Sequence, residues 1–145
     1  MPGRARVDIR LRFSTIQTQL SNIRITVGGV EFAGTLNSSP LTEKLLGLLP
    51  YETIGETWGK EVYFPIDLSM DDPVLVNEVK VGDIAYWPDG PDICLFFGRT
   101  PRSTGDAPVV ASPVMVIGTL QFGPDDFDRI ERRRNGILVS VGPAQ

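Results

Sequence analysis

Residues 82–101, GDIAYWPDGPDICLFFGRTP, decide the fold of this chain when read beside residues 57–66, TWGKEVYFPI. The two stretches hold both tryptophans, two of the three tyrosines and three of the seven phenylalanines. Aromatic side chains bury the most surface per residue, so a core or a concave site is expected where these stretches meet. At the start of the longer one, Val81-Gly82-Asp83 turns into a strand over 84–87, and within it Pro88-Asp89-Gly90-Pro91 is a second turn of strong composition. Ile93 to Phe97 is apolar at every position, as a strand covered on both faces requires. The shorter stretch reads as a strand with Val62, Phe64 and Ile66 on one face and Glu61, Tyr63 and Pro65 on the other.

Working outward, residues 23–35, IRITVGGVEFAGT, are two alternating runs joined by Gly28-Gly29, the composition of a two-residue hairpin turn. That loop length sets Val27 opposite Val30, Ile25 opposite Phe32 and Ile23 opposite Gly34, with the large apolar side chains on one face. Ser39-Pro40 starts a helix, Leu41, Leu45, Leu48 and Leu49 give it an apolar stripe, and Pro50 stops it. Residues 67–77 read as a loop or weak edge strand, and 114–122 and 137–141 as strands. Pro124-Asp125-Asp126 and Arg132-Arg133-Arg134 suit the two ends of a second helix over 124–133, with Asn135-Gly136 behind it. About eight strands and two short helices are the inventory of a mainly β chain, a small closed barrel with helices over its ends.

Bulk properties narrow the chemistry. One cysteine, Cys94, excludes an internal disulfide and any CxxC site, and its apolar strand predicts a buried, inert thiol. The absence of histidine removes His-based triads and His-ligated zinc, so neither a metal nor a cofactor is expected. Residues 1–24 carry five arginines against one aspartate, a charge of +4, which leaves -8 on the other 121 residues. An acidic body argues against nucleic acid as a partner. Residues 6–13, RVDIRLRF, alternate strictly and read as an extra strand or basic arm, so residues 1–21 are set apart from a barrel domain over 22–145, with a homodimer through the arm as one use. No signal-peptide or membrane-length apolar run occurs, which predicts a cytoplasmic protein without a membrane partner.

The order of a leucine helix ending in Leu-Pro, TWGKEVYF, VGDIAYWPDGPDICLFFGRTP and SPVMVIG resembles a family of small prokaryotic proteins with a cyclophilin-like barrel and no assigned biochemical function. The resemblance spans roughly residues 23–142 and implies an eight-stranded barrel capped by two helices. Similarity to true prolyl isomerases is weaker. Leu95-Phe96-Phe97 is similar to their LFF-type strand, which implies a proline-pocket position for Phe97. Their Phe-His-Arg segment has no match, TWGKEVYF standing in its place, and their Gln-Gly-Gly-Asp segment is also missing. Where the family often has asparagine, this chain has Met115.

The candidate site follows from these pieces. Glu61 and Tyr63 share a strand face, and Tyr86, Trp87, Phe97, Arg99 and Thr100 stand at the ends of strands near it, with Phe64 and Met115 as further floor residues. A carboxylate, a phenol, a guanidinium and a hydroxyl around an aromatic floor suit a pocket for a small molecule or peptide. The expected function is a binding or accessory protein. The alternative is an atypical prolyl isomerase using Arg99 or Arg102, and any acid–base chemistry falls to Glu61.

Overall fold

The computed structural model describes residues 20–144, so residues 6–13 and the proposed arm and dimer lie outside the described residues. The elements run β1 (Ser21–Val27), β2 (Val30–Leu36), α1 (Pro40–Leu48), β3 (Tyr51–Trp58), β4 (Glu61–Pro65), β5 (Val76–Glu78), β6 (Asp83–Trp87), β7 (Asp92–Phe96), β8 (Val109–Gln121), a 3-10 turn (Phe127–Arg129) and β9 (Ile137–Pro143). Every strand pairing among them is antiparallel. The order β2-β1-β9-β3-β4-β7-β6-β8 closes on itself because β2 also pairs with β8, giving a ring of eight strands. The short strand β5 adds to β8 as a ninth.

The Gly28-Gly29 hairpin forms in the expected register, with Ile25 opposite Phe32 and Val27 opposite Val30. Both glycines have positive φ, 52° and 84°, the conformation that a primed two-residue turn demands. Ile23, Ile25, Val27, Val30 and Phe32 are all buried inside the ring. Helix α1 is capped as its sequence predicts, Ser39 Oγ accepting the Thr42 N–H at 3.1 Å. Leu41 and Leu45 are buried, whereas Leu48 at the end of the stripe is exposed.

Three local expectations are corrected. TWGKEVYFPI is not one strand: Trp58 ends β3, Gly59-Lys60 forms a tight turn, and β4 begins at Glu61, which pairs directly with Trp58. The expected helix over 124–133 is only the turn Phe127–Arg129. Its ladder cannot continue because the Glu131 N–H donates to Gly28 O at 2.9 Å instead of to a preceding turn. The three arginines therefore cap no helix; Arg132 lies over the Phe127 ring at 5.2 Å, and Arg133 and Gly136 bridge a tight turn. Strand β8 starts at Val109, five residues before the expected 114, and so includes the segment that covers the site.

Ring closure depends on a close backbone approach. Leu36 pairs with Gly118, and a Cβ built on Gly118 would lie 2.2 Å from Thr35 O and 3.0 Å from Leu36 Cδ2. Gly118→Ala is expected to lower unfolding free energy by about 1–3 kcal/mol in chemical denaturation, the usual cost of overpacking. Gly142→Ala, where nothing lies within 4 Å of the added carbon, is the control expected to stay near wild type.

Candidate functional site

Strand alternation gives β4, β7 and β6 two lives. Val62 and Phe64, Ile93 and Leu95, and Ile84 and Tyr86 point into the ring and belong to its main core. The intervening positions, among them Cys94, Phe96 and Ala85, point outward and form a second buried cluster with Val110 and Val114 of β8, against which Tyr63 and Trp87 pack. Covering this outer face leaves a cavity of about 210 Å³ lined by Trp58, Glu61, Tyr63, Trp87, Cys94, Phe96, Val110, Ala111, Ser112 and Val114.

Each wall has a local cause. The β3–β4 turn sets Trp58 across from Glu61, and β4–β7 pairing sets Glu61 across from Phe96 and Tyr63 across from Cys94. On the far side Trp87 Nε1–H donates to Ser112 Oγ, whose hydroxyl donates to Asp89 Oδ2 at 3.3 Å. The loop leading into β8 is held by side chains reaching backbone carbonyls. Thr100 Oγ1 donates to Val109 O at 2.6 Å, Ser103 Oγ to Ala107 O at 2.7 Å and Arg102 Nη1 to Ala111 O at 2.9 Å.

Glu61 is the site's electrostatic centre. It is 6% exposed, and no cation pairs with it among the described residues. Burial pushes its carboxyl up to about 7; the hydrogen bond from the Cys94 thiol partly offsets this, and the nearby charge of Asp92 adds to it. Asp92, itself buried, is raised by desolvation. Burial first, then the charge of Glu61, holds the Cys94 thiol well above its ordinary range, so it keeps its proton and serves as a donor rather than a nucleophile. Tyr63 is raised by burial and by Glu56, to which its hydroxyl donates at 3.4 Å. No three His, Cys, Asp or Glu side chains converge as a metal-holding group among the described residues.

Of the nine candidate residues, the structure brings Glu61, Tyr63 and Trp87 together at this cavity and places the other six elsewhere. Phe64, Tyr86, Phe97 and Met115 belong to the ring interior, where Phe97 packs on Phe32, Phe122 and Phe127 at centroid distances of 5.3, 4.8 and 5.4 Å. The Tyr86 hydroxyl donates to Leu68 O at 2.9 Å. Arg99 is exposed and reaches Ser103 O at 3.4 Å, and Thr100 is a buried tie in the loop. Residues missed by the sequence reading, chiefly Trp58, Cys94 and Phe96, carry a signal in retrospect. Alternation through Asp92–Phe96 puts Cys94 and Phe96, not Phe97, on the face of Glu61 and Tyr63.

A ring of antiparallel strands with an aromatic pocket on its outer face is the class of protein this geometry defines. The chain belongs to the cyclophilin-like family, whose model matches residues 21–140. It is similar in structure to the hypothetical protein AF2241 from Archaeoglobus fulgidus, at 27% identity and a TM-score of 0.66 over 86% of this chain and 95% of that one. No curated protein matches it. Among the described residues, no helix is long and apolar enough to cross a membrane.

The raised carboxyl of Glu61 makes stability depend on pH. Folding takes up a proton between pH 4.5 and about 7, so this group favours the folded state most below 4.5, and the advantage declines as pH rises to about 7. Glu61→Gln should remove that decline and stabilise the protein at pH 8 by up to roughly 3 kcal/mol. Urea unfolding of both proteins at pH 5, 6, 7 and 8 measures it; parallel pH profiles would contradict the assignment.

Proposed function

We propose that this protein is a binding protein whose outer pocket takes a small organic molecule or one side chain of a peptide. The observation that carries this reading is the shape and chemistry of the cavity: about 210 Å³, walled by two indoles and a phenyl ring, with a single buried carboxylate. Binding sites for small ligands are typically concave and apolar with a few convergent polar groups. The volume suits a compact ligand rather than a nucleotide or an extended peptide.

The geometry speaks against prolyl isomerisation. That reaction has a barrier of roughly 20 kcal/mol from C–N double-bond character, and lowering it requires a donor aimed at the twisted amide in which the nitrogen lone pair is localised. No lysine or arginine lines the pocket. Arg102 is spent on Ala111 O, Arg99 reaches Ser103 O, and the group that does face inward is a carboxylate, which repels a substrate carbonyl.

A thermal-shift screen against a metabolite library should find compounds that raise Tm by several degrees, since a ligand at a hundredfold excess over its Kd adds roughly 3 kcal/mol to the folded state. Trp58→Ala should abolish the shift while leaving a folded protein, because Trp58 is only partly buried. A proline-peptide turnover assay is expected to show no activity above background. Turnover that vanished in Arg102→Ala would replace binder with isomerase.

A further inference from the structure

The hydrogen-bonding groups on the pocket wall are almost all committed. Ser112 Oγ accepts from Trp87 and donates to Asp89, Ala111 O takes Arg102, and the Tyr63 hydroxyl turns to Glu56. What remains for a ligand is the Glu61 carboxylate, which also takes the Cys94 thiol, together with the Trp58 indole N–H and the aromatic faces. Those faces are not spent on one another: among the described residues, ring contacts join Phe97 to Phe32, Phe122 and Phe127, and both cation–π contacts fall on Phe127.

A carboxylate in apolar surroundings attracts a cation, and indole faces carry the negative side of the ring quadrupole toward it. The kind of cation follows from counting donors. A primary ammonium brings three N–H groups and a guanidinium five, whereas the wall offers the two oxygens of one carboxylate, which already accepts from the Cys94 thiol and cannot be reached by all the donors on one nitrogen or one guanidinium. Each donor left without an acceptor in the pocket would cost about 1–3 kcal/mol. An alkylated ammonium has one N–H or none, and spreads its charge over methyl groups that pack against indole. On the reading of this cavity as a ligand site, we infer that it takes a small tertiary or quaternary ammonium ion, held between Trp58 and Trp87 against Glu61.

Such binding is tied to pH, because the cation needs the ionised carboxylate. The groups facing Glu61 are Cys94 and Asp92 from β7 and Tyr63 from β4, with Glu56 of β3 behind Tyr63 and Asp89 behind Ser112. All of these are acids or proton donors; the neighbouring Lys60 lies over the Phe127 ring at 5.9 Å, and Arg102 is engaged with the Ala111 carbonyl. Below pH 7 a bound cation must therefore expel the Glu61 proton.

Both tryptophans of the chain line the pocket, so intrinsic fluorescence of the intact protein reports on it directly. Three probes test the inference: choline, its neutral isostere 3,3-dimethyl-1-butanol, and ethanolamine, which carries a primary ammonium. Choline is expected to bind at pH 8 at least tenfold more tightly than either other probe, and to weaken about tenfold per pH unit below 7. Glu61→Gln should bring choline to the level of the isostere and flatten the pH dependence, with an unchanged or higher Tm showing that the variant is folded. If the isostere or ethanolamine binds as tightly as choline, the pocket stands as a ligand site and the alkylated-ammonium inference falls. If none of the three changes fluorescence or Tm at millimolar concentration, the inference falls, while a hit of other chemistry in the library screen would leave the pocket itself standing.

Discussion

The pairing of β2 with β8 is the constraint on which the rest of this structure depends. Four residue pairs, from Ala33 with Gln121 to Leu36 with Gly118, turn an open sheet into a ring. An open sheet of this length would expose the backbone donors and acceptors of two long edge strands to other chains. Among the described residues, closure leaves only β5, three residues long, as an outer edge along β8. It also fixes the curvature that forces half of the side chains into one interior, where Phe64, Leu36 and Leu95 lose nearly all contact with water.

Closure alone makes no site. The pocket exists because β8 is 13 residues long and is used twice: its C-terminal half closes the ring, and its N-terminal half, with the loop before it, lies over the outer face of β4, β7 and β6. Covering a sheet on its outer side dehydrates whatever stands there. Glu61 stands there, and burial is the largest cause of the rise in its carboxyl pKa. Thr100, Ser103 and Arg102 tie that cover through bonds to its own carbonyls, so polar groups that look like site chemistry in the sequence are engaged within the loop.

Much of the fold was legible because local rules and the fold agree. The Gly28-Gly29 turn, the Ser39-Pro40 helix start and the Pro88–Pro91 turn each follow from backbone chemistry that tertiary contacts do not override. The candidate site was legible only in part. Glu61, Tyr63 and Trp87 were visible as polar or amphipathic residues in aromatic stretches. Phe96 was hidden because Ile93–Phe97 is apolar throughout, so composition does not say which parity faces which side. Trp58 was hidden because Gly59-Lys60 was read through as strand, when it is a turn that folds Trp58 back beside Glu61. The acids and arginines of 124–134 imitate helix ends, yet the Gly28 carbonyl captures the amide that a second helical turn would have used.

The alternation of β4, β7 and β6 between two buried environments also bears on how such a protein changes over time. Odd and even positions of the same strand answer to separate demands, one set to cohesion of the ring and the other to the outer cluster that lines the pocket. A substitution at Phe96 or Tyr63 alters the outer lining without opening a hole beneath Phe64 or Leu95. The first residues of β8 bear less directly on the ring, since β8 pairs with the ring strands β6 and β2 only from Met115 onward and Val109 pairs with Glu78 of the short strand β5. The lining of the pocket can thus drift among descendants of one ancestor while the architecture holds still, and a single fold becomes a stock of differently furnished pockets.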